Sequence, residues 1–201
     1  MNSSEAEKIV NSLLDIFILS GNVSLDLRKK GLEKKFKSDN TPVTNGDIEI
    51  NNLLTSKITS LTPNIKIISE ETSANKNNNN LQDFWLIDPI DGTYDYILGK
   101  EEFTINAALI INKKPVAGII NAPDKNRLFY SFGLSNSFEQ NNGSKKKLTC
   151  KKKSKDNEIN AVSYSNNLKP EITAVHKKYN ITNYTKMKSS LKFCVIASGE
   201  F

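Results

Sequence analysis

Four apolar residues, Phe84-Trp-Leu-Ile87, run without a break into Asp88-Pro-Ile-Asp-Gly-Thr93. A short apolar run that meets acids, proline and glycine all at once reads as a buried strand ending in a turn. It sets two aspartates, Asp88 and Asp91, at the strand's C-terminal end. A second short run, residues 65–68, goes straight into Ser69-Glu70-Glu71 in the same manner. Carboxylates gathered at neighbouring strand ends repel one another unless cations neutralise them. All-oxygen donors favour hard cations such as Mg²⁺, which keeps its waters and takes a few carboxylates plus a substrate phosphate. If a helix opens at Gly92-Thr93, its free N–H groups point at the same spot, which makes a phosphate seat. Metal and anion seat together mean phosphoryl chemistry with water as the nucleophile. Singly, each feature has an ordinary reading: a surface Glu-Glu pair, an Asp47 that complements a helix dipole, a plain turn. Their coincidence favours the site.

The rest of the chain supplies layers for such a sheet. Ser4-x-x-Glu7 reads as a capping box, and Ile9, Leu13, Ile16, Phe17 and Ser20 share a helical face, so a first helix runs to about Ser20 and resumes over residues 25–35. Residues 37–43 read as a loop. Thr44 caps a second helix with Asp47 three residues on. Ile50, Leu53, Leu54, Ile58 and Leu61 form its buried stripe, and Thr62-Pro63 stops it. The Asn-rich stretch up to Asp83 reads as a loop. A hairpin joins 103–111 to 116–120 around Asn112-Lys-Lys-Pro115, and a further strand covers 128–132. Residues 159–164, a helix over 170–178 and an apolar helix from Ser189 to a Gly199 stop read as a second α/β layer. The expected division is an N-terminal α+β domain over 1–145, carrying the site, and the start of a second α/β domain over 146–201. The last helix, with Leu191, Phe193, Cys194, Val195, Ile196 and Ala197, has no following strand to cover before Phe201, and this reads as an interruption.

Composition removes other classes. With 37% hydrophobic and 25% charged residues in 201, the chain is globular and long enough to bury a core. No uninterrupted apolar run approaches the ~20 residues of a membrane span, and the polar, acidic start is no signal peptide. Two cysteines, Cys150 and Cys194, build no disulfide framework, so a cytoplasmic setting is expected. A single histidine, His176, disfavours serine triads and multi-histidine metal sites. The net charge of +6 would suit nucleic acid, but Arg28 and Arg127 are the only arginines. Lys145–Lys147 and Lys151–Lys153 lack interleaved aromatics and read as a solvated turn and a lysine-rich strand edge. No nucleic-acid partner is expected.

Trp85-Leu-Ile-Asp-Pro-Ile-Asp-Gly-Thr93 resembles the first signature of the inositol monophosphatase superfamily, the lithium-sensitive, Mg²⁺-dependent phosphatases. Ile67-Ile-Ser-Glu-Glu71 stands where those proteins carry a metal-binding glutamate, and Thr41-Pro-Val-Thr-Asn-Gly-Asp47 resembles their upstream threonine/aspartate segment. Glu102-Phe-Thr-Ile-Asn-Ala-Ala-Leu109 and Ser189-Ser-Leu-Lys-Phe-Cys194 look most like the bacterial 3′(2′),5′-bisphosphate nucleotidases of sulfur assimilation. The resemblance implies an α+β fold, a layered α/β sandwich of the inositol monophosphatase and sugar phosphatase type with its second domain incomplete. It implies that Glu70, Asp88 and the Ile90 carbonyl bind a first Mg²⁺ and that Asp88 and Asp91 hold a second, of two or three ions in the complete family site. Gly92 and Thr93 amides would seat the phosphate. Asp47 and the Thr93 hydroxyl would orient or deprotonate the attacking water, with Glu70 counted among the catalytic groups and Glu71 supporting it from behind. Substrate contacts would come from Glu70, Ile90, Asp91, Gly92, Thr93 and Lys192.

Two departures accompany the match. Lys188 stands where relatives usually have glycine, and the family's second signature, a Trp-Asp followed by small residues, does not occur by Phe201. The expected reaction is removal of the 3′-phosphate of adenosine 3′,5′-bisphosphate, by a monomer or homodimer. The alternatives are inositol-phosphate or sugar-phosphate hydrolysis, or a non-catalytic remnant that binds metal or nucleotide weakly.

Overall fold

A single helix of 28 residues, α1 (Ser3–Lys30), replaces the two helices expected at the N-terminus. In this computed structural model, which describes residues 1–72, 80–150 and 159–201, the cap is Asn2 rather than Ser4. The Asn2 side chain accepts the Glu5 N–H at 2.9 Å, and Glu5 accepts the Asn2 N–H at 2.8 Å. Gly21 does not break the helix. A Cβ there would stand 2.5 Å from Asn121 Nδ2, which donates to the Phe17 carbonyl at 2.7 Å, so the missing side chain is what lets a strand approach the helix backbone. By length and composition α1 is apolar enough to cross a membrane, although its runs are interrupted. Here Ala6, Val10, Leu13 and Phe17 are at most 1% exposed in the core.

The segment expected as a loop folds instead as a small antiparallel hairpin, β1 (Lys34–Phe36) and β2 (Pro42–Thr44). Thr44 then caps α2 (Asn45–Leu61) as expected, in a capping box with Asp47. Six strands join in sequence after β3 (Lys66–Ser69): β4 (Phe84–Asp91), β5 (Thr104–Ile111), β6 (Lys114–Ala122), β7 (Arg127–Phe132), β8 (Ser137–Asn141) and β9 (Ser144–Lys147). A short helix, α3 (Thr93–Ile97), sits between β4 and β5. The sheet order is β3-β4-β5-β6-β7-β8-β9, parallel only between β3 and β4. The β5–β6 hairpin turns at Asn112-Lys113, both at positive φ, the conformation a two-residue turn needs. The division expected between 145 and 146 falls inside β9, so the sheet extends past it to Lys147. The lysines 151–153 and asparagines 77–79 lie outside the described residues.

Along β4 the burial alternates. Trp85 and Ile87, at most 1% exposed, face α1 and α2 with Leu13, Phe17, Ile50, Leu54 and Ile58, while Leu86 lies on the opposite face, half exposed. Each such large apolar side chain contributes about 1.5–3 kcal/mol on burial. The Trp85 indole donates to Thr62 Oγ1 at 3.0 Å, so the strand bearing the aspartates is fixed to the end of α2. The remaining elements are β10 (Ala161–Ser163), α4 (Pro170–Lys178), β11 (Tyr184–Lys186) parallel to β10, and α5 (Leu191–Ala197). The expectation that the last helix covers no strand is corrected. Leu191, Cys194 and Val195 of α5 pack on Ala122 and Phe129 of β6 and β7, and only Phe193 and Ile196 face outward.

Candidate active site

Parallel pairing of β3 with β4 brings the two acidic strand ends side by side, and the Glu70 N–H extends the ladder to the Ile87 carbonyl at 3.1 Å. Pro89 removes a ladder donor, and the register with β5 shifts between Asp88 and Asp91. Asp88 Oδ1 is buried and makes no hydrogen bond among the described residues. Burial first, then the charges of Glu70 and Asp91, push the Asp88 carboxyl up to about 8, and a hydrogen bond with Glu70 and the charge of Asp47 add to the rise. A carboxyl so placed gains from any positive charge brought beside it.

Asp47 reaches the same place from the first turn of α2. It is 1% exposed, its Oδ2 accepts the Thr44 N–H at 2.7 Å and the Thr44 hydroxyl at 2.6 Å, and its Oδ1 lies 3.2 Å from the Thr93 hydroxyl. Burial raises its pKa against those hydrogen bonds. The Thr93 hydroxyl has one proton and two acceptors, Asp47 Oδ1 and, at 3.0 Å, the Ile90 carbonyl. Gly92 stands at φ 93° and ψ 36°, a left-handed conformation that suits glycine, and from it α3 opens at Thr93. The helix expected at Gly92-Thr93 is thus present, one and a half turns long.

Two other groups hold the carboxylates. Asp91 Oδ2 accepts the Ser190 N–H at 2.6 Å, the Ser190 hydroxyl at 2.8 Å and the Thr104 hydroxyl at 3.4 Å. Lys37, in the turn of the β1–β2 hairpin, places its ammonium 2.9 Å from Glu71 and 3.3 Å from Glu70. Partial burial lowers its pKa, but the Glu71 and Glu70 carboxylates more than restore it. Neither Lys37 nor Ser190 was assigned a role from sequence. Lys37 lay in what read as a loop, and Ser190 lay in a segment that carried only a resemblance. Lys192, expected among the substrate contacts, donates from Nζ to the Ser189 carbonyl at 2.6 Å and lies 4.8 Å over the Phe193 ring.

The structure therefore brings Glu70, Asp88, Asp91, Asp47 and Thr93 together, with Glu71 joined to Glu70 through Lys37. As the side chains stand, no three acidic, histidine or cysteine groups among the described residues close on a single ion position. Glu70 leans toward Lys37, and Asp91 spends one oxygen on Ser190. The donor chemistry nevertheless fits a hard divalent cation. All donors are oxygens, one is buried without a hydrogen-bond partner among the described residues, and crowding by Glu70 and Asp91 raises the proton affinity of Asp88, which a cation there would reverse.

Residues 12–201 match the family described as Inositol monophosphatase family. A 3′(2′),5′-bisphosphate nucleotidase CysQ of Buchnera aphidicola is 35% identical over 172 residues, 85% of this chain and 64% of the relative. Its namesake in Haemophilus influenzae is 34% identical over 145 residues, 71% of this chain and 54% of the relative. The chain thus spans 54–64% of the length of these two curated relatives. The extragenic suppressor protein suhB of Bartonella henselae superposes with a TM-score of 0.79 at 18% identity, over 96% of this chain and 76% of its own. That likeness establishes the α+β layered fold.

Proposed function

Because the chain belongs to the inositol monophosphatase family, we propose that it carries the catalytic residues of a Mg²⁺-dependent phosphomonoesterase whose substrate is adenosine 3′,5′-bisphosphate, cleaved at the 3′-phosphate. The observation that carries the reading is the buried, partnerless Asp88 oxygen between Glu70 and Asp91, beside the Asp47–Thr93 pair. The likeness to bisphosphate nucleotidases of two bacteria supports the choice of substrate.

Glu70, Asp88, Asp91 and the Ile90 carbonyl would hold the ions, and these supply charge neutralisation at the phosphate and at the departing oxygen. The protein's own part is proton transfer and orientation. Thr93 Oγ1 accepts the proton of the attacking water while its own passes to Asp47 Oδ1, 3.2 Å away. Burial of Asp47 raises its proton affinity, which suits a base. Thr44 holds the other Asp47 oxygen with two donors, so the carboxylate keeps one orientation throughout. Gly92 and Thr93 amides, at the opening of α3, would seat the phosphate. Lys192 would have to leave the Ser189 carbonyl to meet a second phosphate.

The test is phosphate release from adenosine 3′,5′-bisphosphate and from inositol 1-phosphate, each with Mg²⁺ and with EDTA. Mg²⁺-dependent release from the nucleotide at roughly ten times the inositol rate, about 1.4 kcal/mol of barrier, supports the proposal. Preference for inositol phosphate transfers the site to that substrate class, and metal binding without release from either supports the non-catalytic reading.

A further inference from the structure

The segment between β11 and α5 reaches the site at Ser190 and is held there by the residues before it. The Lys188 N–H donates to Glu102 Oε2 at 3.1 Å, and the Lys188 ammonium sits 2.8 Å from buried Asp95. Ser189 is 7% exposed at φ 51°, a left-handed conformation unfavourable for a residue with a Cβ. Strain of this kind persists only where the surroundings over-determine it. Its consequence is that Ser190 presents both its N–H and its hydroxyl to one atom, Asp91 Oδ2, at 2.6 and 2.8 Å.

The direction of the hydroxyl proton is also fixed. Asn106 Nδ2 donates to Ser190 Oγ at 3.1 Å, which occupies a lone pair and leaves the Ser190 proton for Asp91. Asn106 is the cross-strand partner of Asp88, so this relay is anchored in the same β4–β5 pairing that carries the carboxylates. Donors at such distances to an ionised oxygen are roughly twice as strong as neutral ones.

We propose that Ser190 is a positioning residue for Asp91: through the Asn106–Ser190–Asp91 relay it engages Oδ2 and turns Oδ1 toward the cation. The proposal rests on Asp91 being a cation ligand, as argued above. Outer-shell partners of metal ligands commonly change affinity 10–100-fold when removed.

The experiment is titration of the metal-free protein with Mn²⁺, followed by electron paramagnetic resonance and by calorimetry, for wild type, Ser190→Ala and Ser190→Thr, with melting temperatures measured in EDTA. The threonine methyl has room, since Ser190 borders a cavity of about 470 Å³ between the sheet and α5. Ser190→Ala should bind Mn²⁺ at least tenfold more weakly while melting within about 2 °C of wild type, an interval worth under ~1 kcal/mol in a chain of this size. Ser190→Thr should recover affinity to within about threefold, since it keeps the hydroxyl that donates to Asp91. Phosphate release should need correspondingly more Mg²⁺ in the alanine variant, with the rate at saturating Mg²⁺ largely retained. Wild-type affinity in Ser190→Ala, or a loss that the threonine variant shares, overturns the proposal. Absence of Mn²⁺ binding in wild type itself overturns the cation reading of the whole site, a result visible before any variant is compared.

Discussion

Asp88→Asn should stabilise the metal-free protein while abolishing its response to Mg²⁺. The Asp88 carboxyl is pushed up to about 8, from an ordinary value of 3.8, by burial and by Glu70 and Asp91. An acid whose folded value is raised destabilises the fold above its unfolded value, and the penalty grows as pH rises from 3.8 toward 8. At pH 7 about three pH units of that window have been crossed, each worth about 1.4 kcal/mol, so the penalty is on the order of 4 kcal/mol. Glu70 is half exposed and can swing into water, which relieves part of it and leaves about 2 kcal/mol for the substitution to recover. Asparagine is close in shape, removes one charge, and offers two N–H donors to the carboxylates beside it. In a chain of 201 residues, 2 kcal/mol moves the melting temperature by about 4–8 °C. Thermal denaturation in EDTA and in 5–10 mM Mg²⁺, an ordinary assay range, should show opposite signs: the variant melts higher than wild type in EDTA, and only wild type gains on adding Mg²⁺. An asparagine variant that melts lower in EDTA would refute the claim that Asp88 is held against its neighbours' repulsion.

Thr93→Val, nearly equal in volume, should cut turnover by roughly 10²-fold or more with little change in melting, and wild-type turnover would remove the hydroxyl from the proton path. Gly46→Ala places a Cβ 2.7 Å from the hydroxyl of Tyr96, whose side chain is fully buried and donates to the Ser24 carbonyl at 2.6 Å, so melting should fall by the equivalent of about 1–3 kcal/mol; an unchanged melting temperature would show that Tyr96 yields freely. The Arg127 guanidinium holds the Glu200 carboxyl below its usual range, so its contribution is present above about pH 4.5 and lost as pH falls further. Glu200→Gln should therefore melt lower than wild type at pH 7, with the difference shrinking as pH falls below about 4.5, and a difference that does not change with pH would assign the effect to packing.

What could be read from the sequence is what local chemistry determines. The run from Trp85 to Thr93 needs no distant partner to announce a strand that ends in acids, and Thr44 with Asp47 is a cap whose two partners lie three residues apart. The Asn112-Lys113 turn is equally local. Elements without an apolar face were missed. β1 is exposed at every position and β11 has one half-buried residue, so neither carries a period that separates it from a loop. The helix continues through Gly21, past the expected stop near Ser20, because what Gly21 packs against, Asn121, is 100 residues away and gives no local sign. Ser190 and Asp91 are separated by 99 residues, and Lys37 and Glu71 by 34. Ser190 looks like any helix-start serine until the fold sets it on a carboxylate.

The same separations explain how the fold can sustain a site that works against it. A group of crowded carboxylates, one with a buried oxygen that has no hydrogen-bond partner among the described residues, has no local reason to assemble. It is assembled from outside. Trp85 and Ile87 lock β4 into the core against α1 and α2, Ser69 Oγ ties the end of β3 to Asn51 of α2 at 2.6 Å, and Ser190 arrives with α5 from the far face of the sheet. Three independently packed elements thus converge on one strand end, and each is anchored by apolar burial that exceeds the local repulsion. The convergence also makes the site sensitive at a distance. Loosening α5 through Leu191 or Val195, which touch no carboxylate, should free Asp91 before it unfolds the sheet, because Asp91 takes two of its three side-chain donors from the residue that begins that helix.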